Sequence, residues 1–433
     1  MQMTQKFPKK LVASITPPTS KSVSNRALML QALCPEQLYT IANLAICDDT
    51  QHMQEGIAAK QAGAELIDIG ATGTAMRFLT AYLSIKEGET ILTGSERMQQ
   101  RPIGTLVEAL RNLGADITYI NKEGYPPLCI HGRQLRGGSL EVKADISSQY
   151  ISALLMIGPC LAEGLTLHLT GEIASRSYIE LTLDLMRHYG ATAEWADEQT
   201  IRVAAGGYAD APLTVEGDWS GASYWYELAA VAAHLGHEVD IRLHGMRSDS
   251  KQGDRIVADW LRVKGVKLND NIEEHLQTAE ENNCQLAKDF THCPDIAQTM
   301  AVTYCLLSIP FTFTGIRSLR IKETDRVAAL INELRKLGFV LHAEGDERLI
   351  WDGTRCTLPR RNRIIAGLSC CTLVVEAAER SGALMTAAHA ANRGCPVFAV
   401  PGVGDDPLAA GCNNLIRQGA KPARSFADIL ESV

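Results

Sequence analysis

The chain has 433 residues, of which 46% are hydrophobic and 21% charged, and its net charge is -8. That length accommodates two or three domains with ample core, and the balance is ordinary for a soluble globular protein. The charge argues against a broad nucleic-acid surface, and no run of about 18 apolar residues exists to span a membrane. The 12 scattered cysteines form no CxxC pair and no Cys/His cluster with zinc-ligand spacing, so reduced thiols and no metal are expected.

In chain order, "MQMTQKFPKK" lacks an apolar signal core, which predicts a cytoplasmic protein. "TPPTSKSVSNRALML" reads as a turn and then a helix, where Ser22, Ser24 or Asn25 can cap and leave backbone N–H groups beside Lys21 and Arg26. "GATGTAMRFL" is a glycine-rich turn running into a helix, with Gly73, Thr74 and Arg77 at its mouth. "LTGSERMQQRPIGTLVEAL" sets Arg97 and Arg101 before a helix that Pro102 can open at its first position. Ser147, Ser148 and Gln149 in "ADISSQYISALLM", and Ser175, Arg176 and Tyr178 in "ASRSYIELTL", stand at two more helix starts. In the second half, Asp295 precedes the apolar helix of "CPDIAQTMAV". Arg320, Lys322, Glu323, Asp325 and Arg326 crowd between a strand and a helix in "SLRIKETDRVAALINEL". Each loop alone is accounted for by capping or a solvated ion-pair network. Together they point to one cleft for phosphorylated or carboxylated ligands.

A repeat underlies these loops. "IAAKQAGAELIDI", "LVEALRNLGADITYI", "LDLMRHYGATAEW", "VADWLRVKGVKL" and "LINELRKLGFVLH" each predict an amphipathic helix, a glycine and a strand, on Gly63, Gly114, Gly190, Gly265 and Gly338. Glycine takes the left-handed cap that ends a helix, and the alternating residues after it predict a strand. The reading is an α/β protein of duplicated units. A sixth repeat on Gly419 is spoiled by Pro422 and Arg424, which break up the strand that should follow.

The segments "SKSVSNRAL", "GTAMRFLTA", "LTGSERMQQRPI", "SSQYISALLM", "SRSYIELTLDLM", "GDWSGASYW", "PDIAQTMAV" and "LRIKETDR" resemble, in order, the 5-enolpyruvylshikimate-3-phosphate synthase family (3-phosphoshikimate 1-carboxyvinyltransferase) over about residues 8–355. The resemblance implies a two-domain enolpyruvyl transferase fold of repeated βαβαββ units. Its first domain would span 19–218, and its second 1–18 plus 219–358. It also implies the reaction: the 5-hydroxyl of shikimate 3-phosphate adds to C2 of phosphoenolpyruvate and phosphate leaves, with no cofactor or metal. By motif match, Lys21, Ser22, Arg26, Ser147, Ser148, Gln149, Ser175, Tyr178, Asp295 and Lys322 would contact shikimate 3-phosphate. Lys21, Gly73, Arg101, Gln149 and Arg326 would hold phosphoenolpyruvate. Asp295 would take the hydroxyl proton, and Glu323 with Lys21 would manage the proton at the methylene carbon. Ala71 and Phe78 depart from the family, which usually has asparagine and proline there. A related transferase acting on UDP-N-acetylglucosamine often has a cysteine where this chain reads "GSERMQQRP".

From about Pro359 the likeness changes. The Asp-His-Arg segment and C-terminal lysine that complete the family's phosphoenolpyruvate site do not appear, and the surroundings of Lys421 differ. Instead "PRRNRIIAGLS", "TLVVEAAERSGALMTAAHAANRGCPVFAVPG" and "DDPLAAGCNNLIRQGA" resemble the end of the DNA-processing protein A family, so that residues 359–433 would form a Rossmann-like half-domain in place of the last unit. In full form that fold binds single-stranded DNA, with Arg361 and Arg363 near the phosphates, alongside Arg360. The missing half and the acidic total make nucleic acid an unexpected partner. The expectation is a monomeric enzyme acting on two small molecules, with turnover impaired by the absent cations. The alternatives are a single-stranded DNA binder and an inactive chimera.

Overall fold

The computed structural model describes residues 9–144, 147–173, 175–268, 286–320, 324–356, 366, 369, 371–403, 406–425 and 427–430. They fall into two compact units, Met1–Val327 with Ala343–Ile350, and Ala328–His342 with Trp351–Val433. No helix among the described residues is long and apolar enough to cross a membrane.

The glycine reading of the repeats translates directly into backbone geometry. Gly63, Gly114, Gly190, Gly265 and Gly338 all have left-handed φ, between 78° and 99°. Strands follow at Leu66–Asp68, Asp116–Tyr119, Ala193–Trp195, Val266–Leu268 and His342–Glu344. One detail differs: the helix Ile256–Leu261 closes on Arg262 at φ 45°, and Gly265 supplies a second left-handed turn.

In three places the chain runs strand, helix, strand, helix, strand, strand, and each time the sheet takes the same order, with the last two strands interchanged. The first such sheet is Leu66–Asp68, Gly88–Thr93, Leu128–Gly132, Asp116–Tyr119. The second is Gly138–Lys143, Leu165–Thr170, Thr200–Val203, Ala193–Trp195. The third is Leu286–Asp289, Phe311–Thr314, Arg348–Trp351, His342–Glu344. In the first two sheets the opening pair is parallel and the rest antiparallel. A further parallel sheet joins the N-terminal strand Lys10–Ile15 to Glu238–Leu243 and Val266–Leu268.

Helices Gly73–Ile85 and Ser148–Ile157 are apolar around nearly their whole circumference and lie in the middle of one core cluster running from Val23 to Val215. A helix without a polar stripe has to be covered on all sides. Gly104–Asn112 and Arg176–His188, with one apolar face each, cover the outside.

Within the first unit two stretches of the chain, 18–20 and 216–218, run side by side at a crossing. Thr19 bridges Gly217, Ser20 N–H donates to Glu216 O at 2.9 Å, and Asp218 N–H donates to Pro18 O at 2.8 Å. Buried Gln252 ties the crossing together. Its Oε1 accepts from Ser20 Oγ and from Trp219 N–H, each at 3.1 Å. Its Nε2 donates to Glu216 Oε1 at 2.8 Å and Gly217 O at 2.9 Å.

In the second unit, strands Thr372–Val374, Val397–Ala399 and Lys421–Pro422 form a parallel sheet. Helices Gly382–Ala391 and Ala410–Arg417 belong with it, and its small cluster contains Val374, Ala377, Ala387, Ala399 and Cys412. "TLVVEA" reads as a buried strand, yet only Val374 of the strand enters the cluster; Leu373, on the strand's other face, is 40% exposed, and Val375, just past its end, 65%. After Gly419 a strand does form, but it ends within two residues at Pro422, which has no N–H to continue the ladder. Arg360, Arg361 and Arg363 lie outside the described residues.

Candidate functional site

The helix Lys21–Leu33 opens the site. Its cap is Ser20, whose Oγ accepts from Val23 N–H, and not Ser22, Ser24 or Asn25. Ser24 and Asn25 are buried, and Ser24 Oγ accepts from Ala45 N–H at 2.9 Å, a tertiary bond. Lys21 at the first position is half exposed, with Nζ 3.5 Å from Asp49 Oδ2. Its charge also faces Asp218, whose carboxyl is pushed up by burial and held back by its cap bonds and by Lys21.

One turn on, Arg26 is 3% exposed. It donates through Nε to Thr182 Oγ1 at 2.7 Å, through Nη1 to Ser22 O at 3.0 Å, and through Nη2 to Ser152 Oγ at 3.1 Å and Tyr178 O at 3.4 Å. All four acceptors are neutral. The guanidinium also stacks 5.5 Å from the Phe78 ring centre and 5.7 Å from that of Tyr178. Burial pulls its pKa down to about 10, so it remains a cation at neutral pH, buried without a carboxylate against it. Ser152 and Thr182 were not visible as site residues. Their only signal is a hydroxyl inside an otherwise apolar helix face.

Tyr178 carries the site toward residues much later in the chain. Its hydroxyl donates to Asp295 Oδ2 at 2.6 Å, while Arg326 Nη1 donates to Oδ1 at 2.9 Å. Burial first, then the charge of Asp295, push the phenol well above its usual value, so it serves only as a neutral donor. Asp295 stands in the turn Pro294–Ile296 feeding the apolar helix Ala297–Leu306, and Arg326 begins the helix Arg326–Lys336. Backbone contacts reinforce this junction. Ser175, at φ 57°, donates N–H to Thr291 O at 2.8 Å, and Ser177 Oγ donates to His292 O. A side-chain carbon at Gly253 would collide with Ser177 and lie 2.7 Å from His292 O, so only glycine fits between these two segments.

A second group surrounds the glycine-rich turn. A carbon added at Gly73 would sit 2.6 Å from Arg101 Nη1 and 2.9 Å from Nη2, so the guanidinium lies directly on the bare backbone. Arg77 donates to Gly73 O at 3.2 Å and to Pro102 O at 2.9 Å, and Tyr150 donates to that same carbonyl at 2.6 Å. With its carbonyl so engaged, Pro102 stays outside the following helix, which starts at Gly104 and not at the proline. Ser147 caps Ser148–Ile157 through Gln149 N–H at 3.3 Å, and Gln149 Nε2 reaches Thr74 Oγ1 at 3.3 Å. Phe78, which departs from the family pattern, links the groups, following Arg77 in sequence and facing Arg26. Lys322 and Glu323 lie outside the described residues, next to Arg320, which pairs with Asp325 at 3.4 Å and Asp346 at 3.3 Å.

A family profile described as EPSP synthase (3-phosphoshikimate 1-carboxyvinyltransferase) matches residues 6–63 and 55–359. The chain belongs to the EPSP synthase family. A 3-phosphoshikimate 1-carboxyvinyltransferase of Bacteroides fragilis is 51% identical over 350 residues, covering 80% of this chain and 83% of the relative. Another, of Aliivibrio salmonicida, is 38% identical over 355 residues, covering 76% and 82%. The solved EPSP synthase of Acinetobacter baumannii shares the fold, at a TM-score of 0.61 and 19% identity, covering 80% of this chain and 83% of that one. A second profile, DNA recombination-mediator protein A, matches residues 317–433 and overlaps the first over 317–359. The two-part likeness read from the sequence therefore holds, with the second part reaching further upstream than Pro359.

Proposed function

We propose that this chain is a 3-phosphoshikimate 1-carboxyvinyltransferase that transfers the enolpyruvyl group of phosphoenolpyruvate to the 5-hydroxyl of shikimate 3-phosphate and releases phosphate. It would act in aromatic amino acid biosynthesis as a cytoplasmic monomer. The observation that carries the reading is Asp295, bracketed by a phenol at 2.6 Å and a guanidinium at 2.9 Å. Two such donors favour the carboxylate form, which a base near the attacking hydroxyl needs.

In this reading the lobe 19–218 binds shikimate 3-phosphate through Ser22, Arg26, Ser147, Ser148, Ser175 and Tyr178, with Lys322 from the lobe of 1–18 and 219–358. Gln149 lies between the two substrates. Lys21, Gly73, Arg101 and Arg326 hold phosphoenolpyruvate. Asp295 removes the hydroxyl proton as the C–O bond forms at C2, and Glu323 with Lys21 supplies a proton to C3. Loss of that C3 proton then expels phosphate. The roles of Lys322 and Glu323 rest on the motif "LRIKETDR" alone. Turnover is expected to be weak, because each missing preorganised cation costs roughly 100- to 1000-fold.

Calorimetric titration with shikimate 3-phosphate, followed by phosphate release with both substrates, tests this. Saturable binding with slow release supports it. Absence of binding at millimolar ligand overturns it, and release at a rate ordinary for an enzyme (roughly 10 per second) overturns the impairment.

A further inference from the structure

The first sheet carries a second group of reactive side chains, away from the cleft. Strand Leu128–Gly132 alternates, with Leu128 and Ile130 buried in the core and Cys129 and His131 on the opposite, partly exposed face. In the antiparallel register Glu89 lies directly across from His131 on one side and Asp116 on the other. Directly opposed residues share a face, so a thiol, an imidazole and a carboxylate are brought together. The donor atoms of Glu89, Cys129 and His131 all lie within 4.8 Å of one another.

His131 Nε2 is 2.9 Å from Glu89 Oε2. Its Nδ1 is shielded from solvent and meets no hydrogen-bond partner. Asp116, the other acid beside it, is paired with Arg133.

We propose that Glu89, Cys129 and His131 form a binding site for a borderline divalent transition-metal cation of the zinc class, with water completing its coordination. The donor set is the argument. Thiolate sulfur, imidazole nitrogen and carboxylate oxygen are the ligands such ions take, whereas magnesium and calcium demand all-oxygen cages. The scaffold is rigid. A side-chain carbon at Gly132 would overlap the carbonyl oxygens of Leu83 and Lys86, so the strand end beside His131 is clamped against the end of helix Gly73–Ile85. Donors fixed on neighbouring strands need little reorganisation to take up an ion.

The site is structural, not catalytic. Glu89 stands near the start of Gly88–Thr93, whereas Arg101 follows its far end, beyond the Gly94–Gln100 turn. Cys129 and His131 stand two apart on one strand, too little by itself to announce a site in a sequence that predicts no metal, and only the sheet register brings Glu89 to them from the neighbouring strand.

The test uses the full chain stripped with chelator and titrated with cobalt(II), then with zinc by calorimetry. The expected result is one equivalent bound, with the ligand-field bands of four-coordinate cobalt and a thiolate-to-cobalt charge-transfer band. Cys129→Ser should abolish the charge-transfer band. His131→Gln should weaken zinc by more than the roughly 10- to 100-fold of an outer-shell loss. Zinc should raise the thermal midpoint of the parent and leave both variants unmoved. The metal-free variants should melt with the parent, since all three side chains are partly exposed. Substoichiometric uptake, or a charge-transfer band that survives Cys129→Ser, overturns the proposal.

Discussion

Replacing Arg26 by methionine separates binding from folding, because the structure assigns the two nearly opposite energies. The fall in its pKa from 12.5 to about 10 corresponds to roughly 3 kcal/mol of burial penalty. For a base whose folded value lies below its unfolded one, that penalty is fully present at neutral pH and lifts only as pH rises past about 10. Methionine relieves it and fills a similar volume between Phe78 and Tyr178. Against this stand four hydrogen bonds, each worth about 1 kcal/mol. The acceptors are not all orphaned, since the one proton of Thr182 Oγ1 can still go to Ser152 Oγ at 2.9 Å or to Tyr178 O at 2.7 Å. The net change in stability should therefore stay within about 2 kcal/mol. Binding of an anion loses its buried counter-charge, about 1.5–3 kcal/mol, or a roughly 10- to 150-fold rise in Kd for shikimate 3-phosphate. Thermal unfolding and calorimetric titration at pH 7 read the two quantities. A collapsed midpoint with unchanged Kd would make Arg26 a structural cation and refute the reasoning.

Gly73→Ala should displace the Arg101 guanidinium that lies 2.6 Å from the added carbon, raising KM for phosphoenolpyruvate while leaving shikimate 3-phosphate affinity within about twofold. An unchanged KM would mean that Arg101 does not hold that substrate. Gln252→Leu leaves Trp219 N–H, Gly217 O and Ser20 Oγ short of a partner at the crossing, and should cost about 3 kcal/mol, seen as a lower urea midpoint at unchanged slope. A loss under about 1 kcal/mol contradicts its role as the tie. Ser175→Gly relieves the left-handed strain at φ 57° and should melt above Ser175→Ala by about 1 kcal/mol, with both variants binding shikimate 3-phosphate equally weakly.

The repeats were legible because their punctuation is local. A glycine after an amphipathic helix has one conformation to offer, and Gly63, Gly114, Gly190 and Gly338 all use it in this way. The helix mouths were legible for the same reason, but which residue caps them was not. The two prolines of "TPPTS" precede Ser20, and only the second strand of the crossing, at Glu216 and Gly217, holds it extended enough to cap. That freed Ser24 for a bond to Ala45, a partner no local pattern predicts. The same limit hid Gln252, whose four partners come from Ser20 and from residues 216–219. It hid Ser152 and Thr182 too, since a hydroxyl on an apolar helix acquires meaning only when a guanidinium arrives from another helix. Cross-strand register, which aligns Glu89 with His131, is equally silent until the sheet is built.

The way these contacts are distributed along the chain separates recognition from chemistry. Arg26, Ser152, Tyr178 and Thr182 interlock among the elements of one core cluster running from Val23 to Val215, so the pocket proposed for shikimate 3-phosphate owes its geometry to that cluster's own packing. Asp295 and Arg326 come from outside that cluster, and Asp295 meets the pocket at the Tyr178 hydroxyl. Past residue 359 only the second family's profile matches, and the sequence there lacks the motifs expected to bring further cations to the departing phosphate. In the proposed reaction, binding energy from the Arg26 pocket does not depend on those cations, whereas stabilisation of the leaving group does. A chain built this way should hold its acceptor substrate with ordinary affinity and turn it over slowly, a loss falling on kcat and on phosphoenolpyruvate KM together.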